Sequence, residues 1–265
     1  MPKAFIQQNM QSLFILKIGG NIIEHQPLLD EALQAFAQLS GLKILIHGGG
    51  KRASQLSKQL GIPVQMVHGR RITDAATLEV AVMVYAGLAN KQIVAQLQAM
   101  GCNAIGMSGA DANIIKAQKR PVTDIDYGFA GDIKEVHTEA LLALLNSGLT
   151  PICCAITHDG QGQLLNTNAD TIATQLALAM MPHFTIRLNF CFEKPGVLLD
   201  IDNPDSLITE MNQKDYERHR SNGLIADGML PKLDNAFAAL NKGVQEIRIS
   251  NIEGIIHQKG TTLQL

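Results

Sequence analysis

Two apolar runs of strand length each break into glycines, and together they restrict the fold more than any other feature of the chain. The first is Leu13-Phe14-Ile15-Leu16-Lys17-Ile18-Gly19-Gly20, and the second, about thirty residues later, is Lys43-Ile44-Leu45-Ile46-His47-Gly48-Gly49-Gly50. Such runs place two bare backbone turns side by side, where N–H groups can approach a polyphosphate with no Cβ in the way. Lys17 adds a positive charge at the same edge. Apolar runs alternate with helical patterns through most of the remaining sequence, which predicts parallel β-α units rather than hairpins.

A chain of 265 residues, 46% of them hydrophobic, can bury a large core. We expect two lobes, 1–182 and 183–265, divided where Pro182 ends a helix. With 22 basic and 24 acidic residues the formal charge is −2, which gives no electrostatic reason for a nucleic-acid or membrane partner and leaves a small molecule as the expectation. Cys102, Cys153, Cys154 and Cys191 have no metal-site spacing and read as buried free thiols of a reducing compartment. No signal-peptide pattern opens the sequence and no run reaches the ~18 apolar residues of a membrane span, so a cytoplasmic protein is expected.

Periodicity predicts helices over 27–39 and 52–60, and a long one from a Thr73 cap to about residue 101. Strands follow at 104–107 and 149–156, with a small hairpin between 116 and 135 and a helix from a Thr138 cap to 146. A helix over 168–181, β-like runs at 185–191 and 197–199, a helix over 213–221, an Asp227-capped helix over 228–241 and a strand at 246–249 complete the pass.

Four segments could carry chemistry. The first is the pair of glycine turns with Lys17, although glycines also end strands for purely structural reasons. Gly48-x-Gly50-x-x-Ala53 fits the loose dinucleotide spacing, but no acid for a ribose lies about twenty residues on. The second is Arg71, just before a helix, where a planar guanidinium suits a carboxylate. The third is Asn166-Thr167-Asn168-Ala169-Asp170, in which capping explains Asn168 but does not require Asn166. The fourth is Asp227-Gly228-Met229-Leu230-Pro231-Lys232, whose lysine taken alone reads as a surface charge. A nicotinamide oxidoreductase and a non-catalytic nucleotide-binding regulator stay open beside a kinase at this level.

In this order the segments resemble the amino-acid kinase superfamily, and within it the N-acetyl-L-glutamate kinases, from residue 13 to about 249. The resemblance implies a three-layer α/β/α sandwich with a mostly parallel sheet, an N-terminal acylglutamate-binding and dimerisation lobe, and a C-terminal ATP lobe. It implies phosphorylation of the γ-carboxylate of N-acetyl-L-glutamate by ATP, in arginine biosynthesis, with magnesium carried by the nucleotide. It implies Lys17 and Lys232 as catalytic lysines organised by Asp170. Gly19, Gly20, Gly49, Asp227, Gly228 and Met229 would meet the nucleotide or its phosphates, and Gly49, Gly50, Arg71 and Asn166 the acylglutamate.

Departures from the family pattern are also legible. The expected Ser/Thr-Asp-Val-x-Gly-Val becomes Phe192-Glu193-Lys194-Pro195-Gly196-Val197, which makes Glu193, Lys194 and Gly196 candidate nucleotide contacts. Arg70 stands where the family is commonly apolar. It is either a solvated charge or a partner for the extra carboxylate of N-succinyl-L-glutamate. The short stretch before the first strand, against the longer N-terminal helix of arginine-inhibited hexameric members, implies a homodimer without strong arginine feedback.

Overall fold

A computed structural model describes residues 10–67, 69–200, 202–225 and 229–265. In chain order the elements begin β1 (Ser12–Ile18), α1 (Gly20–Glu24), α2 (Gln26–Gln38), β2 (Leu42–His47), α3 (Gly50–Gln59), β3 (Met66–Val67) and β4 (Arg70–Arg71). A long helical run follows: α4 (Ala75–Val82), a π-helical segment (Met83–Ala89) and α5 (Asn90–Ala99). Next come β5 (Ala104–Met107), β6 (Ile115–Lys119), β7 (Gly131–Val136), α6 (Glu139–Asn146), β8 (Thr150–Cys154), β9 (Ile156–His158), β10 (Leu164–Asn166) and α7 (Ala169–Met180). The remainder is β11 (Thr185–Cys191), β12 (Val197–Leu198), β13 (Leu207–Ile208), β14 (Glu210–Asn212), α8 (Gln213–Ser221), α9 (Leu230–Asn241), β15 (Glu246–Ser250), α10 (Ile252–His257) and β16 (Thr261–Gln264).

Eight strands form the central sheet in the order β14-β16-β15-β11-β1-β2-β8-β5. Every neighbouring pair is parallel except β15 with β16. Strand alternation divides β1 between two cores: Leu13 and Ile15 enter one, Leu16 and Ile18 the other. The first core is closed by α4, α6, α7 and α9, the second by α1, α2, α5 and α10, so the sandwich has three layers as the resemblance implied. All four of those side chains are fully buried, and each contributes ~1.5–3 kcal/mol by leaving water. Lys17 shares the phase of Leu13 and Ile15, which turns it toward the layer of α7 and α9. His47 shares the phase of Leu45, which turns it toward α5.

The expected boundary at residue 182 falls between α7 and β11, and the sheet runs across it because β1 pairs with β11 on one side and β2 on the other. The hairpin expected between 116 and 135 is β6 with β7, joined by β9 and β10 into a second sheet of order β10-β9-β6-β7. The single strand expected over 149–156 is two strands, because the chain leaves the central sheet after Cys154 and enters the second at Ile156. All four cysteines are free and buried.

Several expected caps are corrected. Asp74, not Thr73, caps α4, its carboxylate accepting from Thr77 N–H at 2.8 Å. Thr73 is instead fully buried, its backbone bonded to Tyr127 and Phe129. Thr138 makes no side-chain capping bond to α6. The Asp227 cap lies outside the described residues. The run Ala75–Ala99 is long and apolar enough to cross a membrane by length and composition, which the sequence reading did not anticipate. Here Val80, Ala81, Val84, Ile93 and Leu97 on that run are buried in the two cores.

Candidate active site

Asp170 opens α7, whose N-cap is Asn168: the Asn168 Oδ1 accepts from Thr171 N–H at 3.0 Å, an arrangement that contributes ~1 kcal/mol. The same first turn holds the Asp170 carboxylate between two lysines. Lys17 Nζ, at the end of β1, lies 2.7 Å from Oδ1, and Lys232 Nζ, in the first turn of α9, lies 3.5 Å from Oδ2. Burial alone would raise the carboxyl's pKa, yet the ammonium of Lys17 and then that of Lys232 outweigh it and hold the group below its ordinary value. Three chain-distant segments therefore converge on one buried carboxylate, with two positive charges fixed on either side of it.

Beside this axis lies a cavity of about 490 Å³, and Ala169 on its wall immediately precedes Asp170. Gly48, Gly49 and Gly50 form one side, and Arg70, Arg71 and Asn166 contribute to the rest. A Cβ on Gly49 would stand 2.8 Å from Tyr85 Cδ1, so only glycine lets the turn approach that ring. Arg71 is 9% exposed, and its Nη2 donates to Gly50 O and to Ser54 Oγ, each at 2.7 Å. Its Nη1 is buried and has no hydrogen-bond partner among the described residues. A buried unsatisfied guanidinium nitrogen is costly, and its planar fork has the chemistry to take an oxygen anion. Asn166 Nδ2 donates to Thr73 Oγ1 at 3.0 Å, which explains why Thr73 is buried here instead of capping a helix.

Arg70 also lines the cavity but is exposed at its rim. Among the wall residues that sequence reasoning missed are Tyr85, Arg120 and Asp132. Tyr85 lies in the π-helical segment, and burial first of all raises its hydroxyl pKa, so it stays a phenol. Arg120 donates from Nε to Asp132 Oδ1 at 3.0 Å, and both line the cavity. Nothing local in the sequence announces the pairing of Arg120 with Asp132 across twelve residues.

The nucleotide-side candidates are placed as follows. Gly19 N–H donates to Cys191 O at 2.9 Å, so that donor is already used, while Gly20 opens α1. Lys194, Gly196 and Met229 line a small apolar niche with Val197, Leu198, Leu224 and Ile225. Gly196 is packed so closely that a Cβ would stand 2.6 Å from Thr261 Oγ1. Glu193, which precedes Lys194 in the chain, is exposed and does not line this niche. Asp227 and Gly228 lie outside the described residues. No group of three or more His, Cys, Asp or Glu side chains gathers to hold a metal among the described residues, and both oxygens of Asp170 face lysines.

The profile of the amino acid kinase family matches residues 12–251. The acetylglutamate kinase of Cytophaga hutchinsonii is 53% identical over 248 residues, covering 93% of this chain and 94% of that protein. The acetylglutamate kinase of Parabacteroides distasonis is 49% identical over 252 residues, covering 95% and 99%. Among solved structures, N-acetylglutamate synthase from Neisseria gonorrhoeae, complexed with coenzyme A and N-acetyl-glutamate, superimposes with a TM-score of 0.80 at 21% identity, over 96% of this chain and 59% of that one. Carbamate kinase from Giardia lamblia, bound to AMP-PNP, gives 0.64 at 13% identity, over 96% and 98%. At such identities the structural likeness carries the fold, while the family match and the full-length relatives carry the descent: this chain belongs to the amino acid kinase family.

Proposed function

We propose that the chain transfers the γ-phosphoryl group of ATP to the γ-carboxylate of N-acetyl-L-glutamate, giving N-acetyl-L-glutamyl 5-phosphate; its half-identical relatives are named acetylglutamate kinases. The observation that carries this reading is the Lys17-Asp170-Lys232 axis beside a cavity that holds an unpartnered guanidinium nitrogen of Arg71. The cytoplasm is the proposed location and arginine biosynthesis the proposed context.

A glutamyl carboxylate, with a reference pKa near ~4.3, is ionised at neutral pH and needs no general base. Its oxygen attacks the γ-phosphorus while the bond to the β,γ-bridging oxygen breaks, and that electron pair leaves on ADP. What the protein supplies is alignment and stabilisation of charge on the transferring group. Lys17 and Lys232 touch the phosphates from opposite sides, Asp170 keeps the two ammonium groups in place, and the N–H groups of Gly20 and Gly49 reach phosphoryl oxygens. Arg71 takes the α-carboxylate of the acceptor, with Asn166 beside it. The niche of Lys194, Gly196 and Met229 takes the base end of the nucleotide, with Glu193, next to Lys194 in the chain, as a further contact. Magnesium supplies charge neutralisation when it arrives on ATP. Residues 1–182 provide the acceptor side and a homodimer contact, and residues 183–265 the ATP side.

A coupled ADP-release assay over N-acetyl-, N-succinyl- and free glutamate tests the reading. ADP release with an acylated acceptor supports it, and release with none of the three, or only with free glutamate, contradicts it. A second acceptor reading, N-succinyl-L-glutamate, is favoured by Arg70 on the cavity rim, which can meet a second carboxylate. Equal or better kcat/KM for the acetyl compound removes that reading. Neither a nicotinamide enzyme nor a silent regulator explains the conjunction of Lys17, Asp170 and Lys232.

A further inference from the structure

We infer that His47 is a positioning residue for this reaction: Asn90 holds it in one tautomer, and it fixes the Gly48–Gly49 peptide so that Gly49 N–H faces the cavity. The inference rests on the phosphoryl-transfer reading above.

His47 is fully buried at the end of β2. Its Nδ1 lies 2.8 Å from Gly48 O, and its Nε2 lies 3.0 Å from Asn90 Nδ2. The orientation of the Asn90 amide is set by its other neighbours. Ile152 O, 2.9 Å from Asn90 Nδ2, can only accept, and Lys91 Nζ, 3.2 Å from Asn90 Oδ1, can only donate. Asn90 Nδ2 is therefore a donor to His47, so Nε2 accepts and Nδ1 carries the proton toward Gly48 O. Burial above all pushes the imidazole down to about 4, so it stays neutral at working pH.

The peptide consequence follows from planarity. The carbonyl of Gly48 and the N–H of Gly49 belong to one trans unit and point in opposite directions. Holding the oxygen on the buried side turns the N–H outward, and among the described residues Gly49 N–H donates to no backbone carbonyl. The helical run opposite is shaped to do this. Asn90 N–H donates to Tyr85 O across the five-residue turn of the π-helical segment, which stacks Tyr85 and Asn90 one turn apart. Tyr85 then meets Gly49 while Asn90 meets His47.

Two replacements separate the ring's two roles. In His47→Asn the carboxamide nitrogen occupies the place of Nδ1 and keeps a donor for Gly48 O. In His47→Gln it occupies the place of Nε2 and leaves that oxygen without one. Misplacement of a reacting-site group by about 1 Å can cost ~10²-fold in rate. We expect His47→Gln to lose ~10²-fold in kcat with KM for ATP and acylglutamate changed less than about threefold, and His47→Asn to keep at least a ~10-fold advantage over it. Wild-type kcat in His47→Gln, or no advantage for His47→Asn, overturns the inference. A second arm needs no turnover: ¹⁵N imidazole spectra of the wild-type protein, assigned through its own backbone resonances, must show Nδ1–H and a bare Nε2. The opposite tautomer overturns the inference even if the variants fail to fold. Absence of wild-type kinase activity instead sinks the phosphoryl-transfer reading, and the spectrum keeps its meaning.

Discussion

Lys17 and Asp170 lie 2.7 Å apart between β1 and α7, and the same carboxylate faces Lys232 from α9 at 3.5 Å. One buried negative charge thus offsets the repulsion between two positive ones and keeps both at one site.

Lys17→Met and Lys232→Met should each lower kcat by ~10²–10³, the usual cost of one preorganised donor, with circular dichroism unchanged. Near wild-type turnover in either folded variant contradicts the assignment.

Asp170→Asn leaves two ammonium groups without their shared counter-charge, and removing one member of a buried ionic group costs ~3–5 kcal/mol. The wild-type carboxyl has a folded pKa held below its ordinary value of 3.8, so its stabilisation is present above that value and is lost as pH falls through the lowered folded one. Denaturant melts of wild type and Asp170→Asn should therefore differ by a constant amount at neutral pH and converge in acid, below about pH 4. A gap that widens on acidification contradicts this.

Arg71→Lys removes the guanidinium whose Nη2 donates to Gly50 O and Ser54 Oγ, and with it the free Nη1, while keeping the charge. A charge-assisted hydrogen bond contributes ~1.5–3 kcal/mol, so KM for the acylglutamate should rise ~10- to 100-fold while KM for ATP changes little. An equal rise in both constants would place Arg71 elsewhere in the reaction.

Gly49→Ala drives a methyl group into Tyr85, at 2.8 Å from Cδ1. Activity should fall ~10-fold or more, and combining it with Tyr85→Leu should cost less than the sum of the two single changes, because the residues are in contact. Strict additivity in that cycle would remove the close packing of turn and ring from the account.

The ordered segments were legible because each is local: Lys17 with Gly19 and Gly20, the turn at 48–50, Arg71, Asn166 with Asp170, and Lys232. The parallel β-α alternation was legible for the same reason, since hydrophobic periodicity reports each element singly. What stayed hidden was long-range. Val84 and Leu88 fit an ordinary α-helical face, so nothing in the sequence marked the π-helical segment that stacks Tyr85 with Asn90. Thr73 looked like a cap because its bond to Asn166, across 93 residues, has no local signature. The final helix α10 and strand β16 were missed because the run after residue 250 is short and its antiparallel pairing with β15 is set by the sheet.

The most direct measurement is to run the reaction with ATP, N-acetyl-L-glutamate and hydroxylamine, counting ADP and the γ-hydroxamate that traps an acyl phosphate. The account predicts equal amounts of the two, both formed ~10²–10³-fold more slowly by Lys17→Met. ADP released without γ-hydroxamate would contradict phosphoryl transfer to the γ-carboxylate.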